Sequence, residues 1–508
     1  MFPIPRRGHL FAATLVVVGS CVASARAQCE PVETAKIFPA DAMRRAGFGR
    51  GVAIDGDLAV VGAWNDGNTS PKGGIFTDGP GAAYIYRRTS PNVWVEVAKL
   101  KVAHDAARAF GDWLGYSVAI SGDVVVLGAI HVNTPFYNTG AAYVFRFDGR
   151  EWVQEAKLMA SDRWPNDRFG YSVGISGDVV VVGAPQNDLT AVGKAYVFRR
   201  SGGEWLEQAR LIPPDLVEND ELGSAVAVSG DVAIIGAWNH GNRGSVPDGT
   251  GAAYVYRFDS RTGSWDLEQK LVSTETFPGD RDRFGFSVTL QGDVALIGTS
   301  PARLNGSLGH SGCYVFRFDQ NSWIADPKIV PPKTFHVVSF GGAVALRGNA
   351  LLIGAPFDWP SGKRCPFPQN CHTGSAFLYR DSAAGWEFAA KLVASDNTQA
   401  DQFGEYLALG DGFAFIGARR VNVVGIDSGA AYIYDLSSCL PSPGDLNCDG
   451  RLDGADIDPF FLALGDPAAY LLQFPTCDPL NGDMNGDGRL DGGDIDPFFA
   501  CLGGGQCP

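Results

Sequence analysis

The sequence Phe169-Gly-Tyr-Ser-Val-Gly-Ile-Ser-Gly-Asp-Val-Val-Val-Val-Gly-Ala-Pro185 decides the fold of this chain. Within it, Tyr171–Ile175 alternates large and small side chains, as a strand packed on both faces does. Ser176–Asp178 predicts a tight turn, and the β-branched run Val179–Val182 predicts a second strand. The stretch therefore indicates two strands joined by a minimal turn.

Two further strands, at Gly193–Phe198 and Trp205–Leu211, complete a four-stranded unit that recurs seven times along the chain. Steps of 53 to 66 residues separate the starts. Units of this size cover one another's apolar faces by stacking in a ring. We expect an all-β fold, a seven-bladed β-propeller of four-stranded blades over residues 28–440. The copies begin at Phe48-Gly49, Leu114-Gly115, Phe169-Gly170, Leu222-Gly223, Phe284-Gly285, Phe340-Gly341 and Phe403-Gly404.

The seventh copy lacks a fourth strand, because it stops after Ala430–Tyr434. Near the N-terminus, Val32–Ile37 is similar to Val95–Leu100, the fourth strand of the first copy. We therefore expect the N-terminal strand to complete the last blade and close the ring. Cys29 and Cys439 flank these strands, and a disulfide between them would lock the closure.

The opening Phe-Gly and the later Gly-Ala-Pro, at 183–185 and 354–356, resemble the FG-GAP repeat of integrin α-chain heads and many exported bacterial proteins. The resemblance covers roughly residues 30–436, with departures at Gly298-Thr-Ser300 and Gly417-Ala-Arg419. It implies a propeller that binds partners. Many such repeats hold calcium between their first two strands. Ser-Gly-Asp stands there in this chain and supplies too few oxygens, so we expect no metal in the blades.

Loop lengths predict one binding face. Links between first and second strands are minimal, whereas links after Gly-Ala and before Phe-Gly are long. In an up-down blade both long kinds lie on one face, which we take as the binding surface. Aromatic and polar groups there suit a glycan or a protein; the alternative is that the aromatics only fill gaps between loops. The candidate ligand-binding residues are Trp64, Asp66, His131, Tyr137, Trp238, His240 and Trp359.

Two residue types recur at fixed places in the repeat. Acids just before the repeat start are expected to accept hydrogen bonds from their own loop, with an acidic rim as the alternative; they are Asp112, Asp167, Asp220, Asp282 and Asp401. Tryptophans near the start of the fourth strand predict packing between blades; they are Trp94, Trp152, Trp205, Trp265, Trp323 and Trp386.

The C-terminal segment 441–508 carries two twelve-residue loops typical of calcium binding. Calcium takes about six to eight oxygens, and clustered carboxylates repel one another without a cation. The loops therefore predict two calcium ions; the alternative is a pair of acidic turns without metal. The first loop offers Asp445, Asn447, Asp449, Asp453 and Asp456 with the carbonyl of Arg451, and the second offers Asp483, Asn485, Asp487, Asp491 and Asp494 with the carbonyl of Arg489.

A short apolar helix is expected after each loop, at Ile457–Leu464 and Ile495–Leu502, and none before it. These features resemble dockerin repeats over about residues 444–503, which implies a small α-helical, EF-hand-like domain and a possible cohesin-like partner. Gly454-Ala455 and Gly492-Gly493 depart from the Ser or Thr of dockerins that pair with well-known cohesins. The repeated Asp-Pro-Phe-Phe is either a docking stripe or the domain's own core.

Residues 1–27 predict an export signal, with Arg6 and Arg7 before the apolar Leu10–Val18 and an Ala25-Arg-Ala27 cleavage site. The expected location is therefore extracellular or on the cell envelope, with no transmembrane segment. Without this segment, 38 basic and 56 acidic residues leave a net charge of −18. Such acidity disfavours nucleic acid and anionic membranes as partners.

Cysteine usage fits an oxidising compartment. Nine cysteines remain after residue 27, an odd number, and Cys313 in a predicted strand is the expected free, buried thiol. The other expected disulfides are Cys365–Cys371, Cys448–Cys477 and Cys501–Cys507.

Catalytic motifs do not stand out: HExxH, a P-loop and a G-x-S-x-G elbow are lacking. His131 and His240, on equivalent loops, are the nearest approach to a catalytic pair. The leading hypothesis is a secreted binding or adhesion scaffold that the C-terminal domain attaches to a protein or polysaccharide partner. The alternative is a secreted carbohydrate-active enzyme, a polysaccharide hydrolase or lyase, on the same scaffold.

Overall fold

A computed structural model describes residues 29–503 with gaps. The described ranges exclude 69–77, 91, 104–110, 135, 187–191, 242–249, 275–281, 300–310, 334, 336, 338, 359–371, 383–384, 397–400, 411, 441–443, 448–451, 475–476, 478 and 486–488. The predicted export signal, 1–27, lies outside them.

Seven four-stranded antiparallel sheets make up residues 32–435 of the described chain, which confirms the seven-bladed propeller. Strand β1 (Val32–Ile37) comes first. Blades 1 to 4 follow as β2 (Phe48–Asp55), β3 (Leu58–Ala63), β4 (Ala82–Ser90), β5 (Val93–Leu100); β6 (Leu114–Ser121), β7 (Val124–Ala129), β8 (Ala141–Phe147), β9 (Trp152–Leu158); β10 (Ser172–Ser176), β11 (Val179–Ala184), β12 (Lys194–Ser201), β13 (Glu204–Leu211); β14 (Leu222–Ser229), β15 (Val232–Ala237), β16 (Ala252–Asp259), β17 (Ser264–Leu271). Blades 5 to 7 are β18 (Ser287–Gln291), β19 (Val294–Gly298), β20 (Cys313–Phe318), β21 (Trp323–Ala325); β22 (Ala343–Arg347), β23 (Ala350–Ala355), β24 (Ser375–Arg380), β25 (Glu387–Leu392); β26 (Tyr406–Gly410), β27 (Phe413–Ala418), β28 (Ala430–Asp435).

The ring closes through the N-terminal strand. The last sheet has the order β1-β28-β27-β26, with Ile37 opposite Ala431, so β1 supplies the missing outer strand of blade 7. Cys29 and Cys439 form a disulfide beside this pairing. Cys313 is buried and free. All three predictions are confirmed.

Paired glycines explain the two signatures of the repeat. Gly170 has φ +89°, and a Cβ there would lie 2.4 Å from the carbonyl oxygen of Ala141 in the preceding blade. A Cβ on Gly128 would lie 1.9 Å from the carbonyl oxygen of Gly170. The Gly of Phe-Gly in one blade therefore packs against the Gly of Gly-Ala in the blade before it, closer than any side chain permits.

Tryptophans join blades 1, 3 and 5 to the blade before each of them, as the repeat pattern predicts. The ring centroid of Trp94 in blade 1 lies 4.7 Å from that of Phe415 in blade 7. The Trp205 indole donates to Glu155 across blades 3 and 2 at 2.9 Å. The Trp323 indole donates to Glu268 across blades 5 and 4 at 2.8 Å. These contacts give the ring both apolar cover and directional bonds.

The C-terminal segment contains short helices α1 (Ile457–Gly465), α2 (Pro467–Gln473) and α3 (Ile495–Leu502). The helices after the loops are confirmed. The prediction that no helix precedes either loop is wrong for the second, which follows α2 and a 3-10 turn at Pro479–Gly482. Pro467 at the first turn and the Asp466 side chain, which accepts from Ala469 N, start α2. No helix in the described ranges is long and apolar enough to cross a bilayer.

Candidate ligand-binding face

The long loops lie together on one face, which we call the long-loop face: the loops between second and third strands and those between fourth and first strands. Backbone bonds tie the two kinds together between neighbouring blades. Phe169 N donates to Thr139 O at 3.0 Å, and Leu222 N donates to Val192 O at 3.0 Å. The repeat-start residue is thereby anchored to the preceding blade's loop.

The central channel opens on this face. The first strands of the blades line a cavity of about 410 Å³ that includes Tyr116, Tyr171, Phe286 and Phe357. Arg50 lies among these rings. Its guanidinium carbon is 3.5 Å from the Tyr116 ring centroid, and its Nη1 donates to the Tyr406 hydroxyl at 2.5 Å. Aromatic faces around a fixed guanidinium are well suited to ligand contact.

A second recess lies at the seam between blades 7 and 1. Its volume is about 420 Å³, and Trp64, Asn68, Arg419 and Arg420 are among its lining residues. Trp64 also contacts Trp113, with ring centroids 4.4 Å apart. Of the candidate residues, Trp64 borders this recess and Trp238 borders the channel.

Asp66 lies beneath the face rather than on it. Its side chain is buried, pairs with Lys99 at 2.8 Å and accepts from the Tyr84 hydroxyl at 3.2 Å. Assigning Asp66 to the ligand surface was therefore wrong. An ion pair with the fourth-strand Lys99 holds it in the blade, and spacing along the sequence does not reveal this pairing.

The two histidines are held by neighbours. Lys270 Nζ donates to His240 Nε2 at 2.7 Å, so Nδ1 carries the proton and donates to Asp220 at 2.6 Å. The His131 ring packs against Trp113, with 3.7 Å between centroids and 31° between the ring planes. Burial, with a smaller contribution from Arg168, lowers the pKa of His131 to about 4. At neutral pH His131 is an uncharged member of the aromatic cluster.

The remaining two candidate residues are Tyr137 and Trp359. Tyr137 is 54% exposed. Trp359 lies outside the described residues.

All five acids before the repeat starts are buried, and two of them brace their own loops, as expected. Asp167 accepts from Trp164 N at 2.6 Å, and Asp220 accepts from Val217 N at 2.8 Å. Both carboxylates are buried, and burial raises the pKa of Asp167. They shape the loops and do not form an exposed rim.

A recurring hydrogen bond between a Tyr and an Asp on this face was not predicted from the sequence. In blades 1, 3, 4 and 7 a loop Asp accepts from a buried third-strand Tyr: Asp41 from Tyr84, Asp162 from Tyr196, Asp215 from Tyr254 and Asp396 from Tyr432. Burial alone would raise the Asp162 pKa, but bonds from Tyr196, Lys194 and Arg210 lower it to about 2. The sequence signal that could have revealed these hydrogen bonds is the Tyr that follows Ala in the third strand of each of these blades.

A family model for the FG-GAP repeat matches residues 31–86, 94–145, 152–198, 205–256 and 386–434, half of the chain. The chain belongs to the FG-GAP repeat family. A search of curated proteins finds no significant match.

The FG-GAP unit is offset from the blade by one strand. Each matched segment begins in or just before the fourth strand of one blade and ends in the third strand of the next, as 94–145 runs from β5 to β8. Every FG-GAP unit thus spans two blades, which is why β1 must return to blade 7. The strands that the family model does not match, β17 to β24, belong to sheets of the same four-stranded form.

Beyond the FG-GAP blades, the two C-terminal loops have the same internal bonds. Asp456 Oδ1 accepts from Leu446 N at 2.8 Å and its Oδ2 accepts from Asp453 N at 2.9 Å. Asp494 does the same with Met484 N at 2.7 Å and Asp491 N at 2.9 Å. Both carboxylates are fully buried. The loops are therefore structural duplicates.

Several predicted calcium ligands and disulfide cysteines lie outside the residues that the structure describes. Cys477 and Cys501 are each disulfide-bonded. Within the described ranges, no group of three His, Cys, Asp or Glu gathers around one point. Outside those ranges lie Asp449, Arg451, Asp487, Cys365, Cys371, Cys448 and Cys507.

Proposed function

We propose that this FG-GAP propeller is an extracellular binding scaffold whose long-loop face takes a glycan or protein partner, and whose C-terminal domain binds two calcium ions and attaches it to a cell-envelope or extracellular partner. One observation carries the first part. Two recesses on the long-loop face, of about 410 and 420 Å³, combine aromatic rings with guanidinium groups. That combination suits the planes and polar edges of sugars and peptides.

Calcium fits the charge of the C-terminal domain. Residues 441–508 hold twelve Asp and two Arg, with no Glu or Lys. The buried Asp456 and Asp494 accept backbone N–H bonds but have no ion pair with a Lys or Arg in the described chain. A buried carboxylate of this kind favours a nearby cation. Asp445, Asn447 and Asp453, and their counterparts Asp483, Asn485 and Asp491, would supply oxygens.

An aromatic patch supports the attachment role. The duplicated Asp-Pro-Phe-Phe divides between core and surface: Phe460 and Phe498 are buried and stacked with centroids 4.1 Å apart. Phe461 and Phe499 are 46% and 42% exposed, with centroids 6.2 Å apart. The first Phe of each Asp-Pro-Phe-Phe therefore packs in the core of the domain, and the second Phe lies on its surface.

Binding to glycan and protein arrays tests the face. The full chain without residues 1–27 is compared with Trp238→Ala and with Trp164→Ala, whose exposed indole lies on a loop of the same face but outside both recesses. We expect Trp238→Ala to weaken binding of a partner held in the channel by about tenfold, the loss of one aromatic contact. Trp64→Ala should do the same for a partner held in the second recess, and Trp164→Ala should leave both unchanged. Absence of any partner, or equal loss in all three variants, would refute the proposal.

A further inference from the structure

The seam recess between blades 7 and 1 is built differently from every other seam. After Gly-Ala, blade 7 has Arg419, where the other blades have Trp64, Ile130, Pro185, Trp238, Ser300 and Pro356. Before Phe-Gly, blade 1 has Gly47, where the others have Trp113, Arg168, Glu221, Arg283, Ser339 and Gln402. Two departures from the repeat therefore meet at one seam.

Gly47 is what leaves the recess open. A Cβ at this position would lie 2.1 Å from Nε1 of Trp64, so the lack of a side chain lets the indole lie against the backbone of residue 47. The other six blades carry a side chain at that position. The seam therefore gains both a cavity and an aromatic wall.

The walls of the recess are fixed by hydrogen bonds. Arg45 N donates to Ile426 O at 2.8 Å, and Asn65 Nδ2 donates to Arg45 O at 2.8 Å. Asn68 Nδ2 donates to Arg44 O at 2.8 Å. Pre-formed walls lower the entropy cost of binding.

Charge at the recess is mixed. Arg419 is oriented by Glu405, with 2.7 Å between Nε and Oε2. Arg420 is exposed and forms no hydrogen bond or ion pair through its side chain within the described residues. Asp78 and Asp427 also line the recess, so a ligand must satisfy both guanidinium groups and carboxylates.

We propose that this recess binds an acidic saccharide unit. A carboxylate or sulfate group pairs with Arg420, sugar hydroxyls donate to Asp78 and Asp427, and the ring packs on Trp64. An acidic peptide is disfavoured because it would bring carboxylates toward Asp78 and Asp427 without hydroxyl donors to satisfy them. The inference deepens the proposed glycan-binding function and rests on it.

Titration calorimetry at low and high salt tests the assignment. The probes are a hexagalacturonate, a sulfated hexasaccharide, neutral cellohexaose and poly-glutamate. We expect the full chain to bind one or both acidic saccharides more tightly than the other probes, with affinity falling as salt rises. Arg420→Gln should weaken that binding about tenfold, the loss of one charge-assisted hydrogen bond. Arg150→Gln, an exposed arginine on the opposite face, is the matched control.

The outcomes separate this inference from the general function. Preference for the galacturonate or for the sulfated sugar identifies the anionic group. Equal binding of cellohexaose, preference for poly-glutamate, or an unchanged affinity of Arg420→Gln overturns the inference. In those cases a partner lost with Trp238→Ala would still uphold the binding scaffold. Failure of every array partner would overturn the scaffold itself.

Discussion

At the scale of single residues, glycine does most to specify this fold. The Phe-Gly and Gly-Ala signatures are visible in the sequence, but their cause is a contact between two blades that no single repeat contains. Gly128 and Gly170 lie in neighbouring blades, and neither position has room for a Cβ. The sequence shows that these glycines recur, and the packing shows why.

Gly170→Ala should destabilise the propeller strongly. Its φ of +89° and the 2.4 Å approach to Ala141 O combine backbone strain with a backbone clash, for a cost of at least about 3 kcal/mol. Gly177→Ala is the matched control, since its φ is +54° and nothing lies within 4 Å of its Cβ, so its cost should be about 1 kcal/mol. Denaturant unfolding measures both, and equal losses would contradict the packing argument.

His131 should make stability depend on pH. Burial lowers its folded pKa to about 4 from the ordinary 6.5, so its contribution is complete above pH 6.5 and is lost as pH falls from 6.5 toward 4. The two pKa values correspond to a loss of about 2 kcal/mol between pH 7 and 5, and because the ring is only partly buried we expect the wild type to lose about 1–2 kcal/mol more than His131→Gln. Unfolding midpoints at both pH values test this, and parallel losses in the two proteins would contradict it.

At the scale of elements, the ring depends on a strand from the far end of the chain. The likeness of Val32–Ile37 to an outer strand predicted the position of β1. Blade 7 has only three strands of its own, and its exposed edge is the place where an unpaired outer strand can form hydrogen bonds. The helix α2 was missed because Pro467–Gln473 is short and its packing on Phe460 and Phe498, through the buried Tyr470, is tertiary.

Cys29→Ser should loosen the closure. The Cys29–Cys439 bridge spans 410 residues of sequence, so the chain-entropy argument gives it at most about 6 kcal/mol. We expect a lower unfolding midpoint in Cys29→Ser and a reductant-sensitive midpoint in the wild type. Cys313→Ala, which removes the free thiol, should keep that sensitivity to reductant. A reductant-insensitive wild type would show that β1 pairing suffices.

At the scale of the whole molecule, charge is divided unevenly. The C-terminal segment carries ten of the net negative charges, with twelve Asp against two Arg. The long-loop face of the propeller instead gathers Arg45, Arg50, Arg419 and Arg420 at its recesses. An acidic protein with a basic recess can draw an anionic ligand to one place.

Calcium should act on the C-terminal domain and leave the propeller unchanged. We expect calorimetry of the full chain to show uptake of two ions and calcium to raise the melting point of one of two transitions. Asp445→Ala with Asp483→Ala should abolish the uptake. Asp458→Ala with Asp496→Ala, which removes equal charge from the helices after the loops, should keep it. No uptake by the wild type would refute the calcium sites.

The sequence alone determined the number of blades, the order of strands and the closing strand, because each follows from a pattern repeated along the chain. It also indicated the Cys29–Cys439 bridge, because the two cysteines flank the strands that close the ring. Only the tertiary structure decided which candidate residues reach the long-loop face. Asp66 and His240 looked equivalent to Trp64 in sequence, yet an ion pair with Lys99 holds Asp66, and hydrogen bonds with Asp220 and Lys270 hold His240. Those partners lie on other strands and loops of the same blade, and only the folded sheet brings them next to the candidate residues.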